Sequence, residues 1–338
     1  MVTRTFPLLV LPYLALCNVL DLFNLNELIH FSFCSKRTQR IAARKPKGRV
    51  EIILYAKKQP EFIVRLNNQQ TYKFVISGMS KSFLNTQVWK PTPIAGVIVP
   101  TKTDVSYYGY LSVITATFRI EAAQGIDKVG TYLTKLLKTP ITEIQFLSEK
   151  KDNDTIGIID SVKSKQNSVG KCFVAHMKNT DRYLTHLLSN LEITDDFNSV
   201  AMPSSLFHYV RSFNCARLSV LHGKWFTAEH LLTMNCQYVH IQETNIISTD
   251  LNQFLKHWQN GGCSSLEFLL LTVSFYMLPD IIEGIEVEEI PDTIWRSFLG
   301  HNGDTIQMRG GHDIKRNDGT VGTIFSTHRY LFRFAFQL

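Results

Sequence analysis

A chain of 338 residues that is 44% hydrophobic and 19% charged can bury a sizeable core and is too apolar for a disordered protein. Its net charge of +7 does not describe a broad nucleic-acid face, because seven basic residues and no acidic one fall between Lys36 and Arg49, which equals the whole surplus. Six cysteines without a C-x-x-C pair, and no histidine pair at zinc spacing, point away from a metal module and toward a reducing compartment without disulfides.

Arg4 and the apolar run from Phe6 to Leu16 have the outline of a signal peptide. Pro7 and Pro12 interrupt the run, no small-residue cleavage site follows, and the apolar pattern continues past Asp21. No segment reaches the ~18–20 apolar residues that span a bilayer. The expectation is a cytoplasmic and/or nuclear protein with no membrane partner. After Pro12, Leu14, Leu16, Val19, Leu20 and Phe23, then Leu25, Leu28, Ile29, Phe31 and Phe33, recur mostly at spacings of three and four, which predicts two short helices with caps at Asn24 and Asn26. A third, basic helix is predicted over Lys36–Arg44, ended before Pro46-Lys47-Gly48. A helical unit of about 40 residues is marginal alone. Its surplus of Leu, Val and Phe in residues 1–48 therefore predicts a docking face.

Residues 49–138 read as a strand-rich connector ending in a first helix. Val50–Ala56, Glu61–Leu66 and Thr71–Ile76 are β-rich runs between turn signals, Lys90–Thr103 reads as a Pro/Thr-rich loop, Tyr107–Ile120 as a further β run, and Asp127–Lys138 as a helix.

From about residue 139 to the end the chain repeats the frame apolar-x-x-apolar-x-apolar. The frames are Ile141/Ile144/Phe146, Val169/Cys172/Val174, Leu188/Leu191/Ile193, Cys215/Leu218/Val220, Cys236/Val239/Ile241 and Cys263/Leu266/Phe268, with starts 28, 19, 27, 21 and 27 residues apart. Asn214-Cys215 and Asn235-Cys236 precede their frames identically, and Thr227 and Thr249 are helix-start signals behind them. This period predicts a leucine-rich-repeat-like solenoid of short parallel strands and helices, with Cys215, Cys236 and Cys263 in one small apolar slot under the strands. Trp225 and Trp258 are expected to pack helices onto it, and His222, His230, His240 and His257 to lie at its surface or rim. After Tyr276 the register is lost. Residues 280–338 read as a β cap: a loop with Pro279 and Pro291, a run at Thr305–Met308, a hairpin at Asn317-Asp318-Gly319 and a last run at Arg329–Phe336. The fold class is thus α/β: a three-helix head, a connector, a β/α solenoid and a cap.

No P-loop, dinucleotide fingerprint, nucleophile elbow, zincin or kinase motif occurs. Gly310-Gly311-His312-Asp313 has no nucleophile beside it and reads as a turn before a strand. No catalytic residue, metal or cofactor is expected.

Leu11-Pro12, then Val19-Leu20, then Leu28, then Phe33-Cys34-Ser35-Lys36 resembles the F-box pattern over residues 6–45, with Leu14 where an acidic residue is common and Thr38 in the region of a frequent tryptophan. Asp250-Leu251-Asn252-x-Phe254-Leu255-Lys256-x-Trp258 and Asp313-Ile314-Lys315-Arg316-x-Asp318-Gly319-Thr320 are similar to motifs of the large nematode-type family of F-box proteins with an F-box-associated region of the second type. The resemblance implies a substrate-recognition subunit of a Skp–cullin–F-box ubiquitin ligase. Its head would dock a Skp-type adaptor, and through it a cullin, by Leu11, Pro12, Leu16, Val19, Leu20, Leu28 and Phe33. Outward strand positions Glu192, Ser219, His240 and Glu267, with Arg217 and Tyr238, would meet an unknown protein substrate. The alternatives are a leucine-rich-repeat-like binding module without a ligase role, its head acting as a capping unit, and, less favoured, a nucleic-acid binder using Lys36–Arg49.

Overall fold

Two reciprocal capping boxes set the second and third α-helices. Asn24 Oδ1 accepts from the Glu27 amide at 3.0 Å while Glu27 accepts from the Asn24 amide at 2.8 Å, and Ser35 and Thr38 repeat the device. The computed structural model describes residues 8–43, 48–67, 69–77, 90–94, 97–108, 111–120, 122–147, 152–175, 180–299, 305–328 and 331–336. Residues before Leu8, Arg44, Lys45, Pro46, Lys47 and Arg329 therefore lie outside it. The described chain forms two compact units, Met1–Gln145 with Asn153–Asn167, and Phe146–Asp152 with Ser168–Leu338.

The first unit opens with a 3-10 turn (Leu8–Val10), α1 (Tyr13–Asp21), α2 (Leu25–Ser32) and α3 (Lys36–Ala42). Strands β1 (Val50–Ala56), β2 (Glu61–Leu66), β3 (Gln69–Ser77), β4 (Lys90–Ile94), β5 (Val97–Tyr108) and β6 (Leu111–Arg119) follow, then α4 (Ala122–Leu137), β7 (Glu143–Phe146) and α5 (Asp152–Lys163). The strand order is β7-β1-β2-β3-β6-β5-β4, antiparallel from β1 to β3, parallel at β3–β6 and antiparallel again to β4. Ile52, Ile53 and Leu54 are all buried, so β1 is covered on both faces. The Pro/Thr-rich stretch expected as a loop is instead the β4–β5 hairpin. Pro91 and Pro93 are tolerated because β4 is an edge strand, where a missing N–H costs no ladder bond on its outer side.

The second unit runs in parallel from β8 (Ser168–Val174) through β9 (Glu192–Ser199), β10 (Arg217–Val220) and β11 (Tyr238–Thr244) to β12 (Phe268–Val273). α6 (Asp181–Asn190), α7 (Ala228–Thr233) and α8 (Ser248–Gln259) lie between successive strands, and an irregular segment replaces the helix between β9 and β10. Behind α9 (Leu278–Ile281) come β13 (Val287–Leu299), β14 (Thr305–Lys315), β15 (Val321–His328) and β16 (Leu331–Phe336). β16 pairs antiparallel with β12, and β15, β14 and β13 continue outward. This is a mixed α/β fold, helices followed by extensive β-sheet.

The strand register corrects two repeat frames. Val169 pairs with Ile193, but Cys172 and Leu218 both pair with Phe197, because a bulge adds one residue to β9. Leu188 and Leu191 thus drop out, and Ile193/Phe197/Ser199 takes their place. Val239 pairs with Leu269, so Leu266 and not Cys263 occupies the slot of Cys215 and Cys236. Cys263 sits before the strand at φ 49°, behind Gly261 at φ 99°. The remaining two thiols do adjoin, 3.8 Å apart and buried, and none of the six cysteines is in a disulfide.

Two further expectations change. Pro291 lies inside β13, again at a sheet edge and at a break in register, not in a loop. Gly310 and Gly311 lie inside β14 at that same irregularity, with φ 64° and 120° that side chains rarely adopt, so no turn precedes His312. The Asn317-Asp318-Gly319 hairpin stands, joining Lys315 to Val321.

Candidate functional site

Among the described residues, one side of the head packs into the first unit. Leu16, Leu20, Leu25, Leu28 and Ile29 are buried, and the Phe33 ring stacks on Tyr132 of α4 at 5.4 Å. Ser32 donates to the Ile29 carbonyl at 2.5 Å, and its hydroxyl also meets that of Tyr132, whose burial pushes its pKa up. His30 lies 5.6 Å from the Tyr72 ring, and burial lowers its pKa. Arg37 reaches the Leu9 carbonyl at 3.2 Å, tying the first turn to α3.

Among the described residues, large apolar side chains stand open on α1 and at its two flanks, around the exposed Asn18. Val10, Tyr13, Leu14 and Leu22 are 79%, 57%, 77% and 84% exposed. Of the residues expected to dock a partner, Pro12 is exposed, Leu11, Val19 and Phe33 are half-buried, and Leu16, Leu20 and Leu28 are core. Leu14 and Leu16 are two residues apart and so point to opposite sides of a helix. A series that is apolar on both sides was the signal that separates them.

In the second unit the rows across the strands follow from the pairing. Cys172, Phe197, Leu218, Val239, Leu269 and Phe334 form one buried row, with Trp258 of α8 packed 5.0 Å from Phe334. The next row on the opposite face is Lys171, Asp196, Arg217, Tyr238 and Phe268, and beyond it Phe173, Asn198, Ser219, His240 and Leu270. Arg217 with Tyr238, and Ser219 with His240, are therefore lateral neighbours as expected. The Arg217 guanidinium lies 6.0 Å from the Tyr238 ring centroid, and the Tyr238 hydroxyl donates to Glu267. Burial and then the Glu267 carboxylate push the Tyr238 hydroxyl up to about 12.

This face is not open throughout. Tyr238 and Phe268 are buried in a cluster with Phe298, Met308, Phe325 and Ala335, which the C-terminal strands supply. Tyr238 is thereby a covered residue, while Glu192 is exposed and Arg217, Ser219, His240 and Glu267 are half-buried. Lys171 and Asp195, 4.0 Å apart and both about half exposed, also border the open part; the extra residue in β9 hid them from the repeat frame. His230, expected at the rim, is buried among Phe226, Tyr209 and Trp225, and Trp225 and Trp258 are core as expected. Asp313 is a structural carboxylate: Arg296 grips it through three contacts of 2.7–3.0 Å and Thr323 donates to it at 2.7 Å. Among the described residues no cluster of His, Cys, Asp and Glu is arranged to hold a metal ion, and no helix is long and apolar enough to cross a membrane.

Residues 8–49 match the F-box domain. Residues 207–271, which span β10, α7, β11, α8 and most of β12, match the F-box associated region. The chain is 24% identical over 261 residues to the Skn-1 dependent zygotic transcript 15 protein of Caenorhabditis elegans, covering 74% of this chain and 72% of that protein. It is 22% identical over 169 residues to an uncharacterised protein of the same nematode, covering 46% of this chain and 38% of the relative. No solved structure matches. An F-box domain with an F-box-associated region suggests, in general, a substrate-recognition adaptor of a Skp–cullin–F-box ligase, and proteins of that design are typically not enzymes. The α8 motif at Asp250–Trp258 lies within the matched region, whereas the Asp313–Thr320 motif lies beyond it.

Proposed function

We propose that this chain is the substrate-recognition subunit of a Skp–cullin–F-box ubiquitin ligase, holding a Skp-type adaptor, and through it a cullin, with its N-terminal helices. The observation that carries the reading is the set of open apolar side chains on α1 and at its flanks, within residues that match an F-box domain: Val10, Tyr13, Leu14 and Leu22. Large apolar side chains at such exposure are costly to leave in water and are the usual anchors of an interface. Leu11, Pro12 and Val19 border them, Phe33 fixes the head to α4, and Leu16, Leu20 and Leu28 support the docking surface from the core.

The parallel strand–helix run of the second unit we read as leucine-rich-repeat-like, with a protein target against the open part of its strand face at Glu192, Arg217, Ser219 and His240. Glu267 and Tyr238 then act by positioning Arg217. The chain performs no chemistry; it raises the effective concentration of a target lysine beside a charged conjugating enzyme. Such a subunit works in the cytoplasm and/or nucleus.

Phe33 on Tyr132 favours one other reading, a binding module whose head only caps the first unit. Titration of purified Skp-type adaptor separates the two. Leu14→Ser with Leu22→Ser is expected to weaken adaptor binding more than about tenfold. Wild-type binding by that variant, or no binding by the wild-type chain, would sink the ligase assignment.

A further inference from the structure

We propose that the cleft between α3 and α4 is a binding site for a phosphomonoester. The cleft measures about 460 Å³, within the size range of small-ligand sites. Lys36 and Arg40 border it from α3, four residues apart and so on one side of that helix; Lys128 and Lys135 border it from α4, seven apart and again on one side. Helices separated by 79 residues of chain, 43–121, thus turn basic stripes toward one concavity.

The charge is not balanced from within. Asp127 is the carboxylate at the cleft, and Lys165 already holds it at 2.7 Å, with Lys128 at 3.8 Å. With Lys165 counted, five cations stand against one carboxylate and leave +4. Among the described residues Lys36, Arg40 and Lys135 have no acidic partner. Like charges brought together cost free energy that an anion in their midst relieves.

The donors favour a phosphate ester over a single carboxylate. Arg40 offers a planar fork and the lysines offer point charges, while Gln39 and Thr131, also at the cleft, have side chains uncommitted among the described residues. A phosphomonoester brings about two negative charges and three acceptor oxygens to such a set. Ser32 and Tyr132, also at the cleft, hydrogen-bond to each other and leave the cations as the groups open to a ligand. A polynucleotide fits less well, since its diesters carry one charge each and need an extended basic face. The site uses none of the exposed residues of α1 and does not depend on the ligase reading.

Direct binding to the full chain, without adaptor, tests it. The probes are inorganic phosphate, phenyl phosphate, a short Gly/Ser peptide with one phosphoserine, the same peptide unphosphorylated, and a single-stranded oligonucleotide lacking terminal phosphates. The variant is Lys128→Gln with Lys135→Gln, checked for wild-type thermal melting, and Arg40→Gln provides a second variant from the facing helix. The expected result is binding of the phosphate probes but not of the unphosphorylated peptide, weakened about tenfold or more in both variants. Tighter binding of the phosphopeptide than of phenyl phosphate assigns a phosphorylated protein as the source, and the reverse assigns a small phosphate ester. No binding of any phosphate probe, equal binding by the variants, or preferential binding of the oligonucleotide overturns the proposal.

Discussion

Leu20→Ala and Leu28→Ala should weaken the head from within, whereas Leu14→Ser and Leu22→Ser should leave its fold unchanged. Leu20 and Leu28 are 4% and 5% exposed, so truncation removes buried methyl groups and leaves a cavity that short helices close only in part. Each such change costs about 2–5 kcal/mol. The two residues lie on neighbouring helices, so their costs need not add, but either is a large share of a domain stability of about 5–15 kcal/mol. Leu14 and Leu22 already face water at 77% and 84%, and serine there should shift stability by no more than about 0.5 kcal/mol. Amide hydrogen exchange over residues 13–33 reads the head directly, and urea melts followed by far-UV circular dichroism read the whole chain. Protection across α1 and α2 should collapse in the alanine variants and persist in the serine pair. Comparable loss of protection in the serine pair would refute the division into a supporting and a presenting side, and with it the use of that pair as a docking test.

Arg296→Ala should cost about 3 kcal/mol, because it strands the Asp313 carboxylate in a site only 13% exposed, and adding Asp313→Ala should recover part of the loss; a double variant no more stable than the single one would contradict this. Leu266→Ala should cost about 2–5 kcal/mol, while Cys263→Ala should cost less than about 1 kcal/mol, since Leu266 is buried in the slot of Cys215 and Cys236 and Cys263 is only partly buried before the strand. The opposite ranking of urea midpoints would restore the cysteine to that slot. His230 is held below its ordinary pKa by burial, and its Nδ1 accepts the Thr227 amide at 3.0 Å. The unfolded chain then binds more protons below pH 6.5, so this contribution to stability is full above that pH and declines as the pH falls beneath it. The drop in urea midpoint between pH 7.5 and 5.5 should be smaller in His230→Gln than in wild type, and an equal drop would dismiss the assignment.

Residue order alone located the elements whose signals are local. Asn24 is a cap because its side chain reaches an amide three residues on, and β1 to β3 were legible because a pleated strand needs β-branched residues between turns. The repeated frame likewise placed β8, β10 and β11, where one residue in the pattern is one step along the strand.

What depended on distant chain segments was not legible. The prolines of β4 and β13 argue against strands until the strand order shows both at an edge. A bulge in β9 and a longer approach to β12 moved two frames, since register answers to the neighbouring strand and not to spacing alone. Sequence determined that α1 is rich in leucine; only its packing decided that Leu16 and Leu20 support while Leu14 and Leu22 face outward. It determined that Tyr238 alternates away from the repeat core, and the C-terminal strands decided that this face is covered there. Local conformation is set by a residue and its near neighbours, but whether a side chain meets water, a partner or another part of the chain is settled by what the rest of the fold places over it.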